Sequence, residues 1–350
     1  MDRIYLGEQE VGSDRRPYFI AEIGSNHNGD MELCKRMVDA AAASGADCAK
    51  FQSWSDTSLI AKAEYERNIT YSDKKKHFGT LREMVETYQF TPAQHRDIAA
   101  YCRDRGIAFA SSVFSETEAD LLDELDVPFF KIASMDINNL GLLSYVASLK
   151  RPMVISTGMA DLSEIDAAIR VVNTAGNTMI ALLHCVSVYP PDAKAVNLRN
   201  LPMLRSAFGA PVGFSDHTLG VGVPIAAISL GACIVEKHFT LDRELPGWDH
   251  AISAEPEEFS TLTTEGTKAF EALGSSVRTV SEAELEKRRS FRRSIVTRRS
   301  LPEGHVLREE DLTAKRPGTG IAPDDMRVVV GRVLARTVGE DELLSWADLC

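Results

Sequence analysis

Long hydrophobic runs and paired cysteines are both absent from this sequence of 350 residues. Its longest uncharged run, residues 218–235, contains three glycines and a proline and falls short of the ~20 apolar residues that a membrane-spanning helix needs. The six cysteines include no Cys-x-x-Cys pair, and most of them lie in apolar segments, as ordinary buried thiols do. Met1–Gly12 carries charges and no apolar core, so no signal peptide is predicted. We therefore expect a cytoplasmic protein without a membrane partner.

Positive charge is also scarce. The sequence has 39 Lys and Arg against 51 Asp and Glu, which gives a formal net charge of −12. A nucleic-acid-binding protein needs a basic surface that neutralises phosphates, so nucleic acid is excluded as a partner. A small anionic substrate can still bind to a few local lysines or arginines. With 44% hydrophobic residues the chain can bury a large core, and its length suits one large domain and a small one.

Apolar segments that are typical of strands recur eight times and alternate with amphipathic stretches that are typical of helices. The strand-like segments are Tyr18–Gly24, Cys48–Ser53, Ala108–Phe114, Phe129–Ser134, Pro152–Gly158, Met179–Ser187, Pro211–His217 and Cys233–Leu241. The amphipathic stretches are Met31–Ser44, Pro92–Arg105, Glu116–Glu124, Leu140–Leu149, Leu162–Ala175, Leu198–Ala207, Leu219–Leu230 and Pro256–Leu273. This alternation predicts an α/β fold, a closed (β/α)8 TIM barrel rather than an open sheet.

The barrel pattern stops near Leu273, and the sequence changes character after it. The small domain is predicted from short β-like pieces that include Ser294–Thr297 and Val328–Val333. The predicted domains are a barrel over residues 1–280, a charged linker over residues 281–293 and a small β-rich domain over residues 294–350.

One insertion, Trp54–Thr80, interrupts the barrel pattern after the second strand. It is polar and rich in Lys and Tyr. Because it follows the carboxyl end of a barrel strand, it belongs to the edge where barrel enzymes have their active sites. A loop of this length inside a compact domain is usually a lid or a binding element, and we predict such a role here.

Two histidines lie at the carboxyl ends of predicted strands that are neighbours in the barrel. His217 belongs to the run Ser215–Thr218, and His238 belongs to the run Glu236–Thr240. The carboxyl ends of parallel strands meet at one edge, so both imidazoles should converge there as plausible ligands for a divalent metal. The acids beside them in the two runs are candidates to orient the rings. The alternative for each histidine alone is a hydrogen-bonded core residue.

Three further charged residues lie inside predicted strands, where an unpaired charge would be costly. Glu22 precedes a glycine-bearing turn and is interpreted as a general acid/base, and a turn that only caps the next helix is the alternative. Lys50 and Lys131 each need a buried anionic partner. That partner is either a bound phosphate and carboxylate or an internal acid such as Glu22, Asp136 or Glu236. Serines at nearby strand ends would complete an anion site: Ser112, Ser134 and Ser156.

The order of short motifs along the chain resembles that of the sialic acid synthase family. The motifs are EIGSNHNG, KFQ, KIAS, STGM, HCVSVYP, SDHT, EKHFT and KRPGTG, and they run from about Phe19 to the C-terminus. The resemblance implies a (β/α)8 barrel followed by a small antifreeze-like (SAF) domain, and a domain-swapped homodimer. It also implies a transferase that condenses phosphoenolpyruvate with an N-acylated amino-sugar aldehyde to a sialic-acid-like 2-keto-3-deoxy sugar acid, with C–O cleavage and release of phosphate.

The resemblance also implies roles for individual residues. His217 and His238 correspond to ligands of Mn²⁺ or Mg²⁺, and Glu22 corresponds to the acid/base that handles the attacking water. Arg316 corresponds to a residue that reaches the acyl group from the partner's small domain. The phosphoenolpyruvate site is implied at Lys50, Lys131, Ser112, Ser134 and Ser156. The sugar contacts are implied at Gln52, Tyr189 and Asp249. The remaining predicted substrate contacts are Asp136, Ser187 and Ser215.

Three places depart from the pattern of sialic acid synthases proper, and all lie where the acyl sugar should bind. Met135-Asp136 stands in place of Gly-Glu, Ser187 stands in place of an asparagine, and the P-G-x-D loop holds Trp248 with His250 following. We therefore predict the same chemistry with a different acceptor. A shorter acid at position 136 would suit a diacetamido-trideoxyhexose of the legionaminic or pseudaminic type better than N-acetylmannosamine.

Two other functions are compatible with the sequence. The first is a related phosphoenolpyruvate-dependent aldol-type synthase that takes a sugar phosphate, for which Arg243 is the main candidate to bind a second phosphate. The second is a barrel that binds carbohydrate without catalysis. The presence of Glu22, both lysines and both histidines argues against the second function.

Overall fold

The computed structural model describes residues 3–69, 72–73, 76–77 and 79–350, and the chain forms two compact units, Met1–Gly274 and Ser275–Cys350. The strands of the first unit are β1 (Arg3–Leu6), β2 (Gln9–Gly12), β3 (Tyr18–Gly24), β4 (Cys48–Ser53), β5 (Ser72–Asp73), β6 (Lys76–His77), β7 (Ala108–Val113), β8 (Phe130–Ile132), β9 (Met153–Ser156), β10 (Ile180–Cys185), β11 (Val212–Asp216) and β12 (Ile234–His238). Its helices are α1 (Met31–Ala43), α2 (Lys62–Arg67), α3 (Leu81–Tyr88), α4 (Pro92–Asp104), α5 (Glu116–Glu124), α6 (Leu140–Ser148), α7 (Leu162–Thr174), α8 (Asn200–Phe208), α9 (Gly222–Ser229) and α10 (Pro256–Leu273). The second unit contains α11 (Glu282–Phe291), β13 (Ser294–Thr297), β14 (Leu312–Lys315) and α12 (Met326–Val329).

Eight parallel strands of the first unit close into a barrel in the order β3-β4-β7-β8-β9-β10-β11-β12, and β12 pairs with β3. Each of these strands falls within one of the predicted segments, so the predicted TIM barrel is confirmed. The closed barrel collects all the carboxyl ends of its strands on one rim, which is where barrel enzymes carry their active sites. Across the described ranges, no helix combines the length and the apolar character that crossing a membrane requires.

Side chains along each barrel strand alternate between the barrel interior and the layer of helices. In β3, Tyr18 and Ile20 belong to an interior apolar cluster, whereas Phe19 and Ala21 pack in the larger cluster that includes the helices. Side chains of the β1–β2 hairpin join the interior cluster and cover it. Glu22 continues the interior series, so the alternation that buries two apolar residues also carries a carboxylate into the barrel near its carboxyl end.

The insertion after β4 carries structure of its own in the part that is described. It contains α2, β5 and β6, and its Trp54 and Tyr65 pack against α3 in an apolar cluster. In its first turn, Ser58 Oγ donates a hydrogen bond to the carboxylate of Glu118 in α5 (2.5 Å). The same carboxylate also accepts a hydrogen bond from the Phe114 N–H, just after β7 (3.2 Å). Residues 70–71, 74–75 and 78 of this insertion lie outside the described residues, and its role as a lid stays a prediction.

The second unit has a small apolar core of its own, in which β13 and β14 pair antiparallel. The stretch predicted as a linker, residues 281–293, is largely helical, because a capping box between Ser281 and Glu284 starts α11. The β-like piece predicted at Val328–Val333 is wrong in its first part, since α12 ends at Val329, which is buried in this core. Burial of that one side chain outweighs the modest strand propensity of a valine run.

Candidate active site

The carboxyl ends of the barrel strands surround a cavity of about 280 Å³. Alternation along the strands explains its lining: Cys48 lies in the interior cluster and is followed by Lys50 and Gln52, as Ile234 is followed by Glu236 and a histidine. The predicted site residues that line the cavity are Glu22, Lys50, Gln52, Ser112, Lys131, Ser134, Ser156, Ser187, Tyr189, Ser215, His217 and His238. The structure thus brings most of the predicted site together in one place.

Two buried lysines share one buried carboxylate at the base of this site. Lys50 Nζ lies 2.5 Å from Glu22 Oε2 and 3.5 Å from Glu236 Oε2. Lys131 Nζ lies 3.8 Å from Glu236 Oε1 and donates a hydrogen bond to Ser156 Oγ over 2.7 Å. The internal ion pairs that the sequence left as an alternative are therefore present, and they leave both ammonium groups facing the cavity.

The pKa values of the two carboxyl groups of this network are shifted in opposite directions. Burial raises the pKa of Glu22, although the Lys50 ammonium opposes the shift. Burial acts in the same direction on Glu236, but Lys131 and Lys50 together outweigh it and lower the pKa of Glu236 to about 2. Carboxyl groups whose environments separate their pKa values in this way are the usual acid/base pair of an active site. The two lysines and the two carboxyl groups therefore form one buried charge network at the base of the cavity.

The pKa values of the two lysines are shifted in opposite directions. Burial lowers the pKa of Lys131, and Glu236 compensates only in part. Burial also disfavours the charge of Lys50, but Glu22 and Glu236 outweigh it and leave the pKa of Lys50 raised. Lys50 Nζ also donates to Ser112 Oγ (3.2 Å), and Gln52 Nε2 donates to Glu22 Oε1 (2.7 Å). Serine and amide groups therefore fix the charged groups without adding charge.

The two predicted histidines meet at the same cavity. The ring centroids of His217 and His238 are 5.4 Å apart, and the Tyr189 ring lies 4.2 Å from that of His217. His217 Nδ1 is 2.9 Å from the Val186 carbonyl oxygen, so Nδ1 is the donor and Nε2 keeps its lone pair in the neutral ring. Burial, reinforced by the nearby positive charges, lowers the pKa of His238 well below its usual value. For His217 burial acts the same way, but contact with the Cys185 thiol outweighs it and raises the pKa.

Two family models match the chain. The model of the NeuB family matches residues 37–278, and the model of the SAF domain matches residues 292–349. The first match covers more than half of the sequence. The chain belongs to the NeuB family. The membership of the sialic acid synthase family that the motifs implied is thereby confirmed.

Individual relatives of this NeuB protein span nearly its whole length. It is 41% identical over 348 residues to the N,N'-diacetyllegionaminic acid synthase of Legionella pneumophila, which covers 97% of this chain and 96% of the relative. It is 37% identical over 336 residues to the protein of the same name from Campylobacter jejuni, at 94% and 99% coverage. The crystal structure of the N-acetylneuraminic acid (sialic acid) synthetase of Leptospira borgpetersenii superposes with a TM-score of 0.71 at 33% identity, and covers 81% of this chain and 94% of that one.

Three predicted contacts do not line the cavity of the NeuB barrel. Asp136 is half-buried at the end of a 3-10 turn that starts at Ser134, and its neighbour Met135 lines the cavity instead. Asp249 Oδ2 lies 3.7 Å from His238 Nδ1, at the margin of the histidine pair. Arg316 belongs to the SAF unit, where its guanidinium lies 4.8 Å from the ring centroid of Phe291. The roles predicted for these residues stay predictions.

Several lining residues were not among the predicted site residues: Phe114, Ala133, Met135, Met159, Cys185 and Glu236. Of these, Glu236 was weighed as an orienting acid and as an internal partner of the lysines, and Met135 as a departure near the acyl sugar. Met159 and Cys185 lie in the STGM and HCVSVYP motifs, so position within a motif was the signal available for them. Met135 and Met159 are 59% and 72% exposed, which places two large apolar side chains at the mouth of a charged cavity.

The histidine pair fits a divalent metal in its chemistry. Both imidazoles line one cavity, and Nε2 of His217 is free to coordinate once its Nδ1 serves the Val186 carbonyl. Among the described residues no group of three or more His, Cys, Asp and Glu forms a complete metal site. An ion held by His217 and His238 would therefore take its other ligands from water and from substrate oxygens.

Proposed function

We propose that this NeuB protein condenses phosphoenolpyruvate with an N-acylated amino-sugar aldehyde and releases inorganic phosphate, as a nonulosonic acid synthase. The observation that carries the proposal is the pair of buried lysines, which face the cavity with Glu236 as their common internal acid. Phosphoenolpyruvate brings a phosphate and a carboxylate, so it supplies the anionic charge that two such lysines require. Ser112 and Ser156 already accept hydrogen bonds from these lysines and are placed to help hold the anion.

The reaction requires proton transfers, and we assign one of them to Glu22. Carbon 3 of phosphoenolpyruvate forms a bond to the aldehyde carbon, water adds at carbon 2, and the bond between carbon 2 and the phosphate oxygen breaks. Of the two protons of that water, one ends on the new hydroxyl group and the other leaves with phosphate. Glu22 is a buried carboxyl that lines the cavity and whose pKa is raised by burial, so it can take and return one of these protons. His217 and His238 would hold Mn²⁺ or Mg²⁺, which when bound would polarise the aldehyde oxygen.

The sugar-phosphate alternative finds little support at this site. Arg243, its candidate for the second phosphate, pairs with Glu258 and donates to the Ser253 carbonyl oxygen over 2.7 Å. The described residues that line the cavity include no arginine. A second phosphate would therefore have to compete for the two lysines that phosphoenolpyruvate needs.

The acceptor that we propose is a diacetamido-trideoxyhexose of the legionaminic type. Phe114, Met135 and Met159 give the cavity an apolar part, and Ser187 is a short side chain that leaves room beside them. Methyl groups of a deoxy carbon and of two acetamido groups would contact such a wall, whereas a polyhydroxylated sugar would bring hydroxyl groups against it. Relatives named N,N'-diacetyllegionaminic acid synthase, at 41% and 37% identity, support the same acceptor.

Phosphate release measured acceptor by acceptor, with phosphoenolpyruvate and Mn²⁺, tests this specificity. The wild type should prefer the diacetamido sugar to N-acetylmannosamine. Met135→Ala should raise the KM for the diacetamido sugar about tenfold, the loss expected for a trimmed apolar contact, while the KM for phosphoenolpyruvate stays unchanged. Met179→Ala, just before the amino end of β10, is the matched control and should change neither constant. A clear preference for N-acetylmannosamine would contradict the acceptor.

We propose further that the active form is a domain-swapped homodimer in which the SAF unit of one chain supplies Arg316 to the barrel of the other. The family resemblance supports this arrangement. Within its own unit, the Arg316 guanidinium rests on Phe291, a ring that is 55% exposed. An arginine held on an exposed aromatic ring is suited to bind a carbonyl oxygen of a ligand brought to that surface.

Mixing two inactive variants tests the swapped dimer. His238→Ala damages the barrel and Arg316→Ala damages the SAF unit. In a swapped heterodimer, one of the two sites combines an intact barrel with an intact Arg316. With random subunit exchange half of the dimers are mixed, so about a quarter of all sites should regain wild-type acceptor use. No recovery after verified subunit exchange would contradict the proposal, and so would Arg316→Ala with an unchanged KM for the acceptor.

A further inference from the structure

A fully buried ion pair lies directly behind the two histidines. Lys237 Nζ is 2.7 Å from Asp216 Oδ2, and the two side chains are 1% and 0% exposed. The residues are opposite each other in the register of β11 and β12. Because side chains alternate along a strand and the histidines line the cavity, this pair lies on the other face, toward the helices. Neither residue belongs to the cavity lining, so the pair plays no direct part in binding phosphoenolpyruvate.

The pair encloses the turn that carries His217. Asp216 Oδ1 accepts hydrogen bonds from the Thr218 N–H (2.9 Å) and the Thr218 Oγ1–H (2.8 Å). Lys237 Nζ donates a second bond, to the Thr218 carbonyl oxygen (2.5 Å). The peptide groups after His217 are thus fixed by a side chain from its own strand and by one from the neighbouring strand. Lys237 directly precedes His238, so its side chain links the backbone beside His238 to the backbone that follows His217.

Stability alone does not account for this pair. Burying two charges costs several kcal/mol per ion, and well-packed apolar residues in place of a buried ion pair are often as stabilising. What apolar residues cannot supply is the set of directional bonds to Thr218. The feature that depends on those bonds is the placement of His217 relative to His238.

We infer that Asp216 and Lys237 are positioning residues, which hold the two imidazoles at the separation that a shared divalent cation requires. The inference rests on the proposed metal site at His217 and His238. Loss of a group that orients a metal ligand typically weakens metal affinity about 10–100-fold. Neither residue touches substrate, and both act through the backbone of the histidines.

Direct titration with Mn²⁺, followed by the electron paramagnetic resonance signal of the free ion, tests the inference on the full-length protein. The combined replacement Asp216→Leu with Lys237→Met should keep the free energy of unfolding near that of the wild type, yet weaken Mn²⁺ binding at least tenfold. The Kd for phosphoenolpyruvate should change less than about threefold, since the anion site is intact. Asp216→Asn keeps an acceptor for Thr218 and loses the charge, so it should give an intermediate Mn²⁺ affinity and serves if the apolar pair fails to fold.

A matched control lies before β4. Asp47 accepts hydrogen bonds from Arg16 Nη1 (2.8 Å) and the Phe19 N–H (2.7 Å), so Asp47→Asn should lower stability without changing Mn²⁺ affinity. If Asp216→Asn and the combined Asp216→Leu with Lys237→Met variant both kept the wild-type Mn²⁺ affinity, the positioning role would be overturned. The assignment of His217 and His238 as metal ligands would not be affected. A wild type that binds no Mn²⁺ at the histidine pair, judged against His238→Ala, would overturn the metal assignment and this inference with it.

Discussion

Replacing His238 with alanine should abolish turnover and leave the barrel folded. Its ring and that of His217 line the same cavity with centroids 5.4 Å apart, so either replacement leaves a single imidazole where two are needed. Loss of polarisation at the aldehyde should lower kcat roughly 10³-fold or more, since a Lewis acid supplies several kcal/mol of transition-state stabilisation. The measurement is phosphate release from phosphoenolpyruvate at saturating Mn²⁺, with the unfolding temperature measured in parallel.

A second buried histidine separates this effect from simple loss of stability. His95 accepts or donates a hydrogen bond with Ser53 Oγ over 2.6 Å and does not line the cavity. His95→Ala should therefore lower the unfolding temperature and keep most of the turnover per folded molecule. If His238→Ala or His217→Ala retained metal-dependent phosphate release, the assignment of the pair as metal ligands would be wrong.

The barrel could be predicted because parallel strands are buried on both faces and therefore read as apolar runs. Each predicted segment contains one observed strand. The helix α11 was missed for the opposite reason: none of its residues is buried, so it shows no apolar period. Its capping box between Ser281 and Glu284 was the signal that could have revealed it. The β-like piece predicted at Val328–Val333 is wrong in its first part, where α12 extends to the buried Val329, whereas Val333 forms an isolated β-bridge with Val306.

The site could be predicted as far as strand periodicity reaches. Residues at alternate positions of β3, β4, β11 and β12 face one cavity, and His217 continues the alternation one residue after β11 ends. Glu22, Lys50, His217 and His238 are therefore placed together. In the connections that follow the strands, this period of two is soon lost. The 3-10 turn from Ser134 turns Met135 into the cavity lining in place of Asp136, and nothing in the sequence distinguishes these two neighbours.

The partners within the charge network could not be predicted from the sequence either. Both lysines could be assigned buried anionic partners, but the common partner could not be chosen among three acids. The pairing register of β11 and β12 selects Glu236. Ser215 is opposite Glu236, and Ser215 Oγ donates a hydrogen bond to Glu236 Oε1 over 2.8 Å. This bond holds Glu236 between Lys50 and Lys131. The opposite pKa shifts of the two carboxyl groups follow from that placement.

Glu22→Gln should separate the proton-transfer role from the binding of phosphoenolpyruvate. Glutamine keeps the shape of the side chain and can still bond to Gln52, but it cannot exchange a proton. We expect kcat to fall about 10²–10⁴-fold, the usual contribution of a general acid/base, with a KM for phosphoenolpyruvate within a few-fold of the wild type. The exposed α1 residue Glu32, replaced in the same way, is the matched control and should leave both constants unchanged.

The raised pKa of Glu22 predicts the direction in which kcat and stability change with pH. Because burial raises the pKa of Glu22, wild-type kcat should fall on the acid side at a pH above the ordinary carboxyl range, and Glu22→Gln should lack that acid limb. The free energy of unfolding should also depend on pH. Between the unfolded and the raised folded pKa, the folded wild type holds a proton that the unfolded chain has lost, so its free energy of unfolding falls as pH rises through that interval. Glu22→Gln has no such proton, and its stability relative to the wild type should therefore increase with pH. An unchanged acid limb together with a pH-independent stability difference would show that Glu22 is not the titrating acid/base.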